Sequence, residues 1–275
     1  MNLKLPPILW LFCLLVCIGH GCNNPPKSNV KEDELIKLPT VQRQSEEGGF
    51  SLDYVTGKFE PSEHKDFTVI ERKYCSRDGM YLRKEAYEAF KRMHHAAKID
   101  GVDLTIISDT RNFKRQKAIW ENKWNGVTLV ESGQNLSKTV SDPIERALII
   151  LKYSSMPGSS RHHWGTDIDI NNWENRYFQS GQGLIEYEWL INNAAEFGFC
   201  QPYTQKDENR PNGYNEEKWH WSYMPLAKQL TEFASKNFKN SILSGFDGGQ
   251  TAEEIDILNN YILGISQSCY HNSKE

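Results

Sequence analysis

Eight consecutive residues, His162-His163-Trp164-Gly165-Thr166-Asp167-Ile168-Asp169, bring two histidines and two aspartates into one short stretch. It runs from a Pro157-Gly158 turn into an expected strand over residues 166–170. Side chains two apart on a strand share a face, so Asp167 and Asp169 point the same way. A turn at Gly165 can fold His162 and Asp169 toward one point. Imidazole nitrogen and carboxylate oxygen are donors that zinc favours, usually three from the protein with one position left open in a catalytic centre. By itself the pattern fits either a metal site or a polar loop beside a strand.

A second segment raises the weight of the metal site. Glu216-Glu217-Lys218-Trp219-His220-Trp221 sets a carboxylate three residues before a histidine that two tryptophans flank. The tryptophans pack as core and also keep water out. A dry pocket lined with charge suits a metal ion and a general base. In a regular strand Glu217 and His220 would face opposite ways. Glu217 is therefore expected at a bend ahead of a strand over residues 219–223.

Around these segments the pattern is mainly helical. Leu82, Ala86, Phe90, Met93 and Ala97 recur at helical spacing and predict a helix over residues 80–98. A buried strand is expected over 103–108, and Asn112 caps a helix carrying Phe113, Gln116, Trp120 and Trp124. Asp142-Pro143-Ile144-Glu145 reads as a helix start whose helix buries Ile144, Ala147, Leu148 and Leu151. Further helices are expected over 186–197, stopped by Gly198, and from Pro225 to Phe233. A last helix opens at Thr251 and bears Ile255, Leu258, Ile262 and Ile265. Few short strands among many helices predict an α+β fold rather than a doubly wound sheet.

Composition bounds the partners. Hydrophobic residues make up 38% and aromatic ones 12%, too many for a disordered chain, and a net charge of -4 argues against a nucleic-acid partner. Lys4 and the apolar run over 8–19 read as an export signal, too short to span a bilayer as a helix. Gly21-Cys22 ends that run and resembles a bacterial lipoprotein signal, with Cys22 as the lipidated residue that would anchor the chain to a membrane. Ordinary signal cleavage nearby is the alternative. The expected organisation is a signal peptide over 1–21, a flexible tether over 22–49, a catalytic domain over 50–236 and a C-terminal helical extension over 237–275. Cys75, Cys200 and Cys269 remain in the domain, an odd number that cannot all pair within one chain.

The chemistry-bearing blocks resemble a known family. Ser160-x-His162-x-x-Gly165-x-x-x-Asp169 followed by Glu217-x-Trp219-His220 is similar to the signature of VanY-like zinc D-alanyl-D-alanine carboxypeptidases. That group also takes in D-Ala-D-Ala dipeptidases and the Hedgehog signalling domain. Ser108-Asp109-Thr110-Arg111-Asn112-Phe113-Lys114-Arg115-Gln116 resembles the family's strand, arginine and glutamine segment. The blocks occur in the family's order and cover about residues 51–233. The resemblance implies a single catalytic domain with a small, mainly antiparallel sheet flanked by helices and a zinc site at the sheet. The resemblance implies His162, Asp169 and His220 as zinc ligands and Glu217 as catalytic base. It implies Arg111 as the group that stabilises the oxyanion or holds substrate, with Gln116 and Ser160 binding the substrate's end. Asp167 departs from the family, which usually has alanine there. A partner behind a ligating histidine and a solvent-facing carboxylate are both open for it.

The expected activity is removal of the C-terminal residue from peptidoglycan stem peptides, outside the cytoplasm, by a monomer in the periplasm or cell envelope. A metallopeptidase of different cut (L,D-carboxypeptidase, dipeptidase or endopeptidase) and a non-catalytic wall-binding lipoprotein are the rivals. The second would have lost a ligand or the base, and this sequence has lost neither.

Overall fold

The computed structural model describes residues 49–271. The expected signal, Cys22 and the tether up to residue 48 lie outside the described residues. Strands β1 (Phe67–Val69) and β2 (Tyr81–Arg83) form an antiparallel pair. A second sheet holds β3 (Ile106–Ser108), β4 (Asp167–Ile170), β5 (Phe199–Cys200) and β6 (His220–Tyr223) in the order β3-β4-β6-β5, antiparallel throughout. Helices surround it, so the expected α+β architecture is the observed one.

One face of the four-stranded sheet is apolar. Ile106, Ile168, Ile170, Phe199 and Trp221 meet Phe90 and Met93 of the Lys84–Ile99 helix and Leu190 of the Gly181–Asn193 helix. A second apolar cluster gathers Trp120 and Trp124 of the Phe113–Trp124 helix with Leu230 and Phe233 of the Met224–Asn237 helix. Both expected caps are present: Asn112 accepts the Arg115 N–H and Asp142 accepts the Glu145 N–H, each at 2.8 Å. Among the described residues, no helix is long and apolar enough to cross a membrane.

Three expectations are corrected. Residues 81–83 are strand, not the first turn of a helix. The Tyr81 N–H goes to the Asp109 carboxylate, and the segment pairs with β1. Leu82 satisfies both periodicities, and the tertiary partner decides. Leu148 is 44% exposed, while Ile150 takes the buried place on the Pro143–Ile150 helix. Finally, the helix expected from Thr251 is broken after Ala252–Ile255 by Asp256 at φ 54, and a π-turn, Leu258–Ile262, follows. Asp256 accepts from Asn240 and Asn259, and Asn240 accepts the Leu258 N–H. Such side-chain bonds compete with the helical ladder.

The C-terminal segment packs into the main core through Ile255, Ile262 and Ile265. Cys269 closes a disulfide to Cys200 on β5, and Cys75 is free and buried. Serine at both bridging positions is expected to cost about 4 kcal/mol, from the chain entropy of so long a loop, whose cysteines lie 69 residues apart. Urea unfolding of wild type and double variant measures this, and matching midpoints would show that the bridge contributes nothing.

Candidate metal centre

The centre is built on β4 and β6. Their register sets Asp169 opposite His220 and Asp167 opposite Ser222. Alternation then places these four polar side chains on the face away from Ile168 and Trp221. His162 comes from the single turn Arg161–Trp164, whose N-cap Ser160 accepts the His162 N–H at 3.3 Å. Gly165 closes the turn at φ 74, and a Cβ there would sit 2.4 Å from the Phe67 ring. Glycine thus lets the chain reverse into β4 at close quarters.

His162, Asp169 and His220 are buried, and their ligand atoms all lie within 4.8 Å of one another. Asp169 Oδ1 is 3.4 Å from His162 Nε2 and 3.3 Å from His220 Nδ1. The other nitrogen of each ring is engaged: His162 Nδ1 donates to the Asp109 carbonyl at 3.0 Å and His220 Nε2 donates to Asp167 at 2.8 Å. Two atoms of the trio, His162 Nε2 and Asp169 Oδ1, are buried with no hydrogen-bond partner. Buried polar atoms are nearly always paired. Orphans that face each other within two imidazoles and a carboxylate fit zinc, with a fourth position free.

The electrostatics also ask for a cation. Burial alone would lower the His220 imidazole, but Asp167, Asp169 and Glu217 around it hold it well above its ordinary value. The expected bend is present at Lys218-Trp219, and it brings Glu217 Oε2 to 3.2 Å from His220 Nδ1. Burial pushes the Glu217 carboxyl up, the direction useful to a group that must take and return a proton near neutral pH.

His163 is not part of the trio. Its Nδ1 donates to the Arg111 carbonyl at 2.5 Å and its Nε2 accepts the Gly158 N–H at 3.0 Å. Burial pulls it down to about 3, so it stays neutral and braces the loop that carries Arg111.

A cavity of about 760 Å³ opens onto the trio, and Arg111, Glu217, Tyr153, Trp173 and Trp219 share its wall. The Arg111 Nε is enclosed and unpartnered. Behind the trio lies an annex of about 20 Å³ bounded by Ser155, Ser160, Tyr203 and Tyr214, with Arg111 and Glu217 at its edge. Ser160 therefore reaches the site. Gln116 lines neither space: it is fully buried, and its Nε2 donates to the Ser155 carbonyl at 2.8 Å. Asp109, Arg161, Tyr203 and Tyr214 carry no role in the sequence reading, yet all border the centre. Asp109 lies in a quoted block, but only the fold shows its carbonyl on His162. The tyrosines come from a loop with no periodicity to mark them.

The family model for D-alanyl-D-alanine carboxypeptidase, VanY, matches residues 79–226, more than half of the chain. The chain belongs to the VanY family. A putative carboxypeptidase, YodJ, of Bacillus subtilis (strain 168) is 28% identical over 173 residues, covering 61% of this chain and 55% of that protein. The chain thus matches little more than half the length of that relative. A D-alanyl-D-alanine carboxypeptidase of Enterococcus faecalis (strain ATCC 700802 / V583) is 28% identical over 208 residues, 76% of this chain and 68% of its own. Among solved structures, a variant of the vancomycin-resistance D,D-pentapeptidase VanY in complex with Zn(II) is 24% identical. It covers 57% of this chain and 83% of that one, with a TM-score of 0.42. The family is that of the D-alanyl-D-alanine carboxypeptidases.

Zinc at a hundred times its Kd is expected to raise the unfolding free energy by about 2.7 kcal/mol, as for any ligand specific to the native state. His162→Ala should abolish the gain. Unfolding with zinc and with chelator measures both proteins, and equal stabilisation of the two would dismiss His162 as a ligand.

Proposed function

We propose that the chain is a zinc-dependent D-alanyl-D-alanine carboxypeptidase acting on peptidoglycan stem peptides. The observation that carries this reading is the buried trio His162, Asp169 and His220 with the Glu217 carboxylate beside it. Bound zinc supplies Lewis acidity and lowers the pKa of water from 15.7 toward ~7. Glu217 takes the proton of the attacking water and returns it to the leaving amine, a contribution of about 10²–10⁴-fold. Arg111 stands at the cavity wall with a free Nε. A guanidinium there stabilises the charge that develops on the attacked carbonyl oxygen, or binds the terminal carboxylate.

Substrate size is supported by the annex. Its roughly 20 Å³ accepts a group no larger than a methyl or a water, which suits a terminal alanine. Ser160 and Tyr214 place hydroxyls on its wall, whereas Gln116 acts from behind through Ser155. The Cys200–Cys269 disulfide supports a place outside the cytoplasm, because such bonds persist in oxidising compartments. Export as a lipoprotein through Cys22, and action as a monomer, belong to the same proposal.

Glu217→Ala is expected to keep zinc and lose hydrolysis by at least about 10²-fold. The assay incubates the protein with defined tetra- and pentapeptide stems, with and without chelator, and reads products by mass spectrometry. Release of one D-alanine from the pentapeptide supports the D,D cut. Release only from the tetrapeptide marks an L,D-carboxypeptidase, and cleavage of free D-Ala-D-Ala added beside the stems, with both stems left intact, marks a dipeptidase. Full activity in Glu217→Ala would remove that residue from the mechanism.

A further inference from the structure

Behind His220 lies a fully buried ion pair that the reaction as described does not use. Asp167 is 0% exposed and Arg161 1%. Asp167 Oδ2 accepts from His220 Nε2 at 2.8 Å and from Arg161 Nε at 3.1 Å. Its Oδ1 accepts from the Thr166 and Ser222 hydroxyls, each at 2.7 Å. Arg161 also donates through Nη1 to Thr231 Oγ1 at 3.0 Å and through Nη2 to Ser222 Oγ at 2.8 Å, and lies over the Trp164 ring at 4.5 Å.

A buried ion pair is a poor device for stability, since apolar residues of similar volume often serve as well or better. The network is better explained by where its contacts lead. Arg161 sits next to ligand His162 on the same turn, Asp167 is two residues before ligand Asp169 on β4, and Ser222 is two residues after ligand His220 on β6. Thr231 adds the Met224–Asn237 helix. The pair thus ties together all three elements that bring ligands to the centre. Its one contact with a ligand side chain falls on His220 Nε2.

We propose that Asp167, neutralised by Arg161, is a positioning residue that fixes the His220 ring and its tautomer. With Nε2 as donor to Asp167, Nδ1 is the atom left to face Asp169 and a metal ion. The proposal rests on the metal reading above. An alanine at 167 would leave the His220 Nε2–H without an acceptor and Arg161 without a counter-charge.

The test measures zinc affinity of the purified protein by competition with a chromophoric chelator. Loss of a carboxylate that orients a ligating histidine costs about 10–100-fold in metal affinity. Asp167→Ala is expected to show that loss, and Asp167→Asn, whose amide oxygen still accepts from His220, a smaller one. The double variant Asp167→Ala with Arg161→Leu removes both buried charges and restores neutrality. It should stay as weak as Asp167→Ala. Wild-type zinc affinity in a folded double variant would reduce the pair to charge balance and overturn the proposal. A measurement without variants is the ¹⁵N spectrum of zinc-loaded wild type. The proton of His220 should reside on Nε2, and a proton on Nδ1 would overturn the assignment. A wild type that binds no zinc would sink the metal reading and this inference together. Zinc affinity is read without substrate, so a protein that holds zinc but cleaves no stem peptide refutes the proposed function and leaves the inference standing.

Discussion

The pairing of β4 with β6 is the constraint on which the site depends. Asp169 stands opposite His220, Ile168 opposite Trp221 and Asp167 opposite Ser222. A slip of one residue would send Ile168 into the polar face and both aspartates into the apolar cluster around Phe90 and Leu190. The register is thus selected twice, by apolar burial on one face and by charge pairing on the other. The polar face is itself buried, which is unusual for a sheet of this kind and costly unless each charge has a partner. Arg161 supplies one for Asp167: burial pushes that carboxyl up, but Arg161 together with His220 and His162 holds it well below the usual range. The unmatched remainder is Asp169, the one carboxylate of the trio.

This division explains which parts of the site could be read from the chain. The ligands lie in two short blocks whose spacing carries the geometry: D-x-D on a strand shares a face, and a glycine after a histidine turn reverses the chain. Glu217 was legible as a bend residue because a straight strand would have pointed it the wrong way. Helix caps at Asn112 and Asp142 are local chemistry, and both stand where local chemistry predicts them. Arg161, Tyr203 and Tyr214 were not legible, because their contacts are tertiary. Arg161 sits in the middle of the signature, but its partners Ser222 and Thr231 are 61 and 70 residues away. The Cys200–Cys269 bridge joins positions 69 apart for which no pattern in the chain selects a partner.

Elements failed to be legible for the same reason. Residues 81–83 carry an apolar pattern that suits a helix start, yet β1 and Asp109 offer a strand partner and a carboxylate. At the C-terminus the apolar spacing of Ile255, Leu258 and Ile262 is helical, and the side chains are buried or partly buried as a helix would bury them. What breaks the helix is a set of polar residues, Asn240, Asp256 and Asn259, that bond one another, with Asn240 also taking the Leu258 N–H from the helical ladder. Periodicity reports which residues go inside. It does not report how the backbone gets them there.

The arrangement also separates holding from reacting. Two ligands stand on paired strands and the third on a capped single turn, each braced by a contact to its outer nitrogen or neighbour. Glu217 and Arg111 come instead from loops, and their braces are backbone groups: the Glu217 N–H donates to the Tyr203 carbonyl at 2.9 Å, and the Arg111 carbonyl accepts from His163. His163 adjoins ligand His162, and Tyr203 packs its ring 4.7 Å from His220. Each reacting residue is therefore tied to a different ligand by one short path. Position at the metal and position for proton transfer are thus set by the same few contacts, and this is why so small a sheet can support the site.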